Sequence, residues 1–163
     1  MTLDPLSGGG GTPPSGPVDT SAWYKLVAAH SGKCVDASGA GTANGTPLLQ
    51  WTCGGQANQQ WQFSPTDSGY YTITNRNSAA DNQVIDDPAS SGADGTALDT
   101  WTRDGGANQQ WQPVAQSDGR YHFVSRASGK CLDITGASAA DGTLVEQWAC
   151  NGGSNQSFQL AAG

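Results

Sequence analysis

The 163-residue chain is long enough for one domain with a genuine core. Seven Lys and Arg against fourteen Asp and Glu give a formal net charge of -7, which leaves no phosphate-neutralising stripe for a nucleic acid. No apolar run approaches the roughly 18 residues of a membrane span, and 23 Gly, 8 Pro and little helical periodicity point to a loop-rich all-β chain.

Residues 1–20 read as a flexible linker. Ser7-Gly-Gly-Gly-Gly-Thr-Pro-Pro-Ser-Gly-Pro17 has no apolar periodicity, and its Gly and Pro keep a tether open. The first residues lack the basic and apolar regions of a signal peptide. Together with the secretion argued below, this suggests an excision from a longer protein with a domain upstream.

The remainder, 21–163, is expected to form one domain of three repeats, at about 21–69, 70–119 and 120–163. Each opens on an aromatic and β-branched strand: Trp23-Tyr-Lys-Leu-Val27, Tyr70-Tyr-Thr-Ile-Thr74, Arg120-Tyr-His-Phe-Val124. A polar turn, longer in repeat two around residues 78–83, leads to a second strand with Cys34-Val-Asp36, Val84-Ile-Asp86 or Cys131-Leu-Asp133. A Gly-Thr turn precedes the third strand, which ends at Trp51, Trp101 or Trp148.

The block that follows betrays the repeat most clearly. Trp51-Thr-Cys-Gly-Gly-Gln-Ala-Asn-Gln-Gln-Trp61 returns as Trp101-Thr-Arg-Asp-Gly-Gly-Ala-Asn-Gln-Gln-Trp111 and as Trp148-Ala-Cys-Asn-Gly-Gly-Ser-Asn-Gln-Ser-Phe158. The closing aromatics Trp61, Trp111 and Phe158 lie on an alternating fourth strand and read as core.

Cysteines follow the same period. Cys34 and Cys53 recur as Cys131 and Cys150 at equal spacing, while Val84 and Arg103 replace both members in repeat two. Concerted loss is the behaviour of disulfide partners, so Cys34–Cys53 and Cys131–Cys150 are expected, each worth about 3 kcal/mol. No short-spaced ligand cluster favours zinc or another metal. Disulfides imply an oxidising setting and secretion.

Four strands in each of three repeats are most simply arranged as a closed barrel with hairpins over one end, since closure removes exposed strand edges. With Gln59-Gln-Trp61, Gln109-Gln-Trp111 and the imperfect Gln156-Ser-Phe158 near the repeat ends, the chain resembles the ricin-type β-trefoil lectins. It resembles more closely the bacterial carbohydrate-binding modules of family 13. The likeness covers about residues 22–161 and implies an all-β β-trefoil.

It also implies a sugar-binding set in each repeat: Asp36, Trp51, Asn58 and Gln59; Asp86, Trp101, Asn108 and Gln109; Asp133, Trp148, Asn155 and Gln156. In such a set the Asp and Asn bond hydroxyls, the aromatic stacks, and the Gln supports the pocket. The residue types suit that chemistry. An indole face covers the C–H patch of a pyranose, a carboxylate accepts from hydroxyls, and an amide both donates and accepts.

Each residue has a structural alternative: Trp as core, Asp as turn organiser, Asn as a positive-φ turn residue. Two positions before the Trp, the repeats carry Leu49, Asp99 and Glu146. Next to the Trp, Gln50 and Gln147 supply an amide that Thr100 does not, and this, with the absent disulfide and the longer turn, sets repeat two apart.

Three equivalent carboxylates around an axis do not divide acid from base, so no catalytic residue is assigned. The expected partners are a galactose-, arabinose- or xylose-containing polysaccharide and an upstream glycoside hydrolase, with no cofactor, nucleic acid or membrane, and a monomeric state. A free-standing secreted lectin or a protein-binding β-trefoil is the alternative, because fold alone does not set function.

Overall fold

The computed structural model describes residues 18–163. Repeat one supplies β1 (Tyr24–Ala28), β2 (Cys34–Ala37), β3 (Thr46–Trp51) and β4 (Trp61–Pro65). Repeat two supplies β5 (Tyr71–Asn75), β6 (Gln83–Asp86), β7 (Thr96–Ala97), β8 (Asp99–Thr102) and β9 (Trp111–Ala115). Repeat three supplies β10 (Tyr121–Ser125), β11 (Cys131–Ile134), β12 (Val145–Trp148) and β13 (Phe158–Ala162). One strand more than expected arises because Leu98 divides the third strand of repeat two: its N–H donates to Val145 O at 2.9 Å and its carbonyl accepts from Leu48 N–H at 3.1 Å.

The fourth strand of each repeat pairs along its length with the first strand of the next. Phe63 faces Ile73 across β4–β5, Pro113 faces Phe123 across β9–β10, and Leu160 faces Leu26 across β13–β1. Within a repeat the two barrel strands meet at a single pair, Tyr24–Trp61, Tyr71–Trp111 or Tyr121–Phe158. Six strands thus close a barrel whose seam joins the two ends of the domain.

The hairpins β2–β3, β6–β8 and β11–β12 cap one end. They are stitched together by Thr46–Thr100 and Pro47–Asp99, by Gln147–Thr96, and by the Leu49–Leu144 bridge. The fold is a β-trefoil, as the triple repeat implied.

Alternation explains why these segments are strands. Tyr24, Leu26 and Ala28 of β1 point inward while Lys25 and Val27 lie at intermediate exposure, a period of two. The barrel is filled by Phe63, Phe123 and Phe158, with ring centroids 5.8 Å apart for the first pair and 5.9 Å for the second. Trp61, Trp111 and Phe158 are all fully buried, as their strand positions required. Trp61 and Trp111 also donate Nε1–H to Val35 O and Ile85 O at 3.1 Å, fastening barrel to cap; Phe158 has no N–H to offer.

Cys34–Cys53 and Cys131–Cys150 are disulfide-bonded, with Cα atoms 5.1 and 5.0 Å apart. Packing begins slightly earlier than the composition of the linker suggested. Val18 is buried with the core and Asp19 N–H donates to Tyr24 Oη at 3.1 Å. Residues 1–17, the rest of the stretch read as a linker, lie outside the described residues.

Phe123 packs against three other core rings, Phe63, Tyr121 and Phe158, so Phe123→Ala is expected to lower unfolding free energy by about 3–5 kcal/mol in denaturant titration. Trp111→Phe, which removes only the N–H and part of a ring, is expected to cost less than Phe123→Ala.

Candidate functional site

The opening aromatics end outside the core. Trp51, Trp101 and Trp148 are 46, 42 and 41 % exposed, against complete burial for their partners at the far end of each block. Large exposed indoles need an explanation, and three at equivalent positions need a common one.

Each is held by the neighbouring repeat. Gly142 N–H donates to Gln50 O and Thr52 N–H to Asp141 Oδ1, both at 2.8 Å, so the strand is gripped on either side of Trp51. Gly45 and Asn44 grip Trp101 through Thr100 O and Thr102 N–H; Gly95 and Asp94 grip Trp148 through Gln147 O and Ala149 N–H. The three glycines have φ near +89°, and a β-carbon on Gly95 would lie 3.6 Å from Cζ3 of Trp148.

A cation completes two of the grips. Lys33 Nζ lies 3.1 Å from Asp141 and Lys130 Nζ 2.8 Å from Asp94. In repeat two, Gln83 Nε2 donates instead to Asn44 Oδ1 at 3.0 Å. Charge is thus lost from both partners together. Sequence reading passed over these residues, although the triple recurrence of Asn44-Gly-Thr46, Asp94-Gly-Thr96 and Asp141-Gly-Thr143 carried the signal.

Beside each Trp lies the second-strand Asp. Asp36, Asp86 and Asp133 are buried at the ends of short strands. Gln59 Nε2 donates to Asp36 Oδ2 at 3.0 Å and to Thr52 O at 3.0 Å, while its Oε1 accepts from Gly54 N–H at 2.7 Å. Gln109 makes the same three bonds to Asp86, Thr102 O and Asp104 N–H, and Gln156 to Asp133, Ala149 O and Asn151 N–H. The three Gln are therefore buried positioning residues beneath the pockets.

Asn58, Asn108 and Asn155 sit in short 3₁₀ turns, 57–59, 107–109 and 154–156, and the positive φ falls on Gly55, Gly105 and Gly152 instead. The turn alternative for Asn is thereby removed. Asn108 and Asn155 donate Nδ2–H to Asp86 Oδ1 at 3.1 Å and Asp133 Oδ2 at 3.2 Å, and Asn58 donates to Ala37 O at 3.1 Å. In repeats two and three, Gln and Asn converge on one oxygen of the Asp and leave the other to what stands in front of it. The structure therefore brings all twelve sequence-predicted residues together in three groups of four.

The groups differ in one cross-strand neighbour. Asp36 faces Leu49, Asp86 faces Asp99, and Asp133 faces Glu146. Burial, a hydrogen bond to Asp86 and the charges of Asp86 and Asp87 push the Asp99 carboxyl up to about 8. Burial, the hydrogen bond to Asp133 and the charges of Asp133 and Asp94 push Glu146 up to about 7, against the opposing Thr135 hydroxyl. Burial leads the rise at Asp36, partly offset by Gln59 and Asn58, with a smaller push from the Asp141 charge. Asp87 is also buried, with no donor at either oxygen, and burial and the Asp86 charge raise it to about 6. Its counterparts in the other repeats are Ala37 and Ile134.

Among the described residues, no group of three His, Cys, Asp or Glu side chains is arranged to hold a metal ion, and no helix is long and apolar enough to cross a membrane.

Comparison with known proteins accords with this geometry. The model of the ricin-type β-trefoil lectin domain-like family matches residues 15–101, 77–148 and 107–163. The chain belongs to the ricin-type β-trefoil lectin family. It is 40 % identical to the designed threefold-symmetric protein ThreeFoil, with a TM-score of 0.82 over 85 % of this chain and 97 % of that one. It is 35 % identical to part of 1,3Gal43A, an exo-β-1,3-galactanase from Clostridium thermocellum, with a TM-score of 0.83, covering 88 % of this chain and 30 % of the galactanase. A β-agarase, AgaB34 of Agarivorans albus, is 35 % identical over 69 residues, 41 % of this chain and 15 % of the agarase. The chain is thus a ricin B-type carbohydrate-binding domain, related to small parts of larger glycanases.

The raised carboxyls fix the sign of the pH dependence. Asp87, Asp99 and Glu146 have folded values above their unfolded ones, so their contribution is fully present below about pH 4 and is lost as pH rises through about 6, 7 and 8. The thermal midpoint is expected to fall between mildly acid and mildly alkaline buffer. Asp87→Ala, which installs the residue of repeat one, is expected to flatten that fall and add about 1–3 kcal/mol at neutral pH; a variant as pH-sensitive as the parent would contradict this.

Proposed function

We propose that this domain is a non-catalytic carbohydrate-binding module of a secreted glycoside hydrolase, holding the enzyme on a galactose-containing polysaccharide through three shallow pockets. The observation that carries the proposal is the exposed Trp beside a buried, amide-braced Asp, made three times at equivalent places.

In each pocket the indole face takes the C–H patch of one sugar ring. The carboxylate accepts from hydroxyls, the Asn amide donates and accepts at the rim, and the Gln holds the carboxylate in place. Ring stacking and a few hydrogen bonds on an open surface give millimolar affinity, about -4 kcal/mol per pocket. Three pockets on one rigid body engage one polymer with a gain in effective concentration. No side chain in a pocket divides acid from base in the way glycoside hydrolysis needs.

The likeness to a galactanase favours galactose over arabinose and xylose. The disulfides support an extracellular setting. The Gly- and Pro-rich stretch ahead of Val18 acts as the tether to the enzyme, and the domain works as a monomer.

Titration with galactose, arabinose and xylobiose, followed by tryptophan fluorescence and heat, tests the proposal. Galactose is expected to quench saturably with two to three sites per chain, and each of Trp51→Ala, Trp101→Ala and Trp148→Ala to remove one site without loss of fold. Absence of any response up to tens of millimolar, on the scale of about -4 kcal/mol binding, would overturn the lectin reading.

A further inference from the structure

The three pockets are built on one plan but are not chemically equal. In repeat one the residue facing the pocket Asp is Leu49, which bridges to Leu144. In repeats two and three it is a second carboxyl, and among the described residues no basic side chain is ion-paired with it: the ion pairs of the cap join Lys33 to Asp141 and Lys130 to Asp94.

The groups around Asp99 are Asp86 across β6, Asp87 just beyond that strand, and Pro47 on β3. Around Glu146 they are Asp133 and Thr135 from repeat three, and Ala97 and the Asp94 end of the Lys130 pair from repeat two. No amide or hydroxyl donor reaches buried Asp99 Oδ1. Its cross-strand neighbour is another buried carboxyl, as Asp133 is for Glu146. Two carboxyls facing each other without a cation cannot both ionise cheaply, which favours one proton held between them.

We propose that Asp99 and Glu146 are specificity-determining residues that divide the pockets into two kinds. The Trp101 and Trp148 pockets hold sugar through a carboxyl pair that must keep one shared proton. The Trp51 pocket holds it through a single carboxylate, so glycan is bound at three places in mildly acid water and at one in alkaline water. This rests on the sugar-site reading above.

With its proton, each pair presents one negative charge and directs the acid hydrogen along a fixed line, leaving acceptor oxygens for the hydroxyls of a neutral sugar. When base removes the proton, two carboxylates face each other in a buried site with no cation between them. They repel, draw in water and lose the geometry that matched the ring. An anionic sugar is refused by both states of these pockets, because it would bring a further negative charge.

Pocket-specific variants separate this from a general pH effect. Trp51→Ala leaves the two paired pockets; the double variant Trp101→Ala/Trp148→Ala leaves the unpaired one. Galactose, arabinose and xylobiose are titrated calorimetrically into each at about pH 5.5 and about pH 9, with circular dichroism confirming the fold at both. At the higher pH the proton of each pair is largely lost, so Trp51→Ala is expected to lose affinity about tenfold or more. The double variant is expected to change less than about twofold, and Asp99→Asn/Glu146→Gln on the Trp51→Ala background to flatten its profile. Equal pH profiles for the two kinds of pocket would overturn the proton-sharing inference while leaving the sugar sites in place. No binding by any form at either pH would overturn both.

Discussion

The side chain of one Gln in each repeat ties the whole arrangement together. Gln59, Gln109 and Gln156 are buried, and each spends its amide completely: two hydrogens on the pocket carboxylate and a loop carbonyl, one oxygen on a loop N–H. A buried amide left unpaired costs more than a made bond contributes, so the loop between the two aromatics of a block has one conformation in which all three bonds exist. In that conformation the closing aromatic enters the barrel and the opening one stays outside. Core and pocket are therefore set by the same three bonds.

The second constraint runs between repeats. Each exposed Trp is gripped through its flanking backbone by an Asx-Gly turn from the neighbouring repeat, around a closed cycle: Gly142 to repeat one, Gly45 to repeat two, Gly95 to repeat three. The barrel is closed by the same logic, since fourth strands pair with the first strands of the next repeat. No repeat completes its core or the setting of its exposed Trp alone. Repeat two shows how such a cycle tolerates divergence. It has given up the disulfide, the ion pair and the Gln before its Trp, yet Asn44 and Gln83 still meet by hydrogen bond. Replacing both partners keeps the geometry where replacing one would orphan the other.

Electrostatics set a tension between stability and recognition. An acidic surface charge helps solubility, but Asp86, Asp87 and Asp99 crowd one hairpin, where burial and neighbouring negative charge raise the Asp87 and Asp99 carboxyls. On the proposed reading the carboxylates of Asp36, Asp86 and Asp133 serve hydroxyls, and a salt bridge at the same oxygens would satisfy the charge and close the site. Neutral amides from Gln and Asn hold the carboxylate on one side without cancelling it. Lysines are kept one shell away, on Asp94 and Asp141, where they tie the grip together and leave the pocket open.

By itself the sequence determined the triple repeat, the β-trefoil, the two disulfide pairs and the buried Trp61, Trp111 and Phe158, and it marked the residues proposed for each pocket. These are legible because local pattern carries them: alternation puts an aromatic inside a strand, and a period repeated three times exposes what recurs and what is lost in concert. Only the tertiary structure decided which neighbour each pocket depends on. That Gly142 and Asp141 serve Trp51, that Leu98 leaves the strand ladder, and that Asp99 and Glu146 face Asp86 and Asp133 all follow from strand register and from closure between repeats. Such contacts join residues far apart in the chain, and neither composition nor spacing records which oxygen ends beside which.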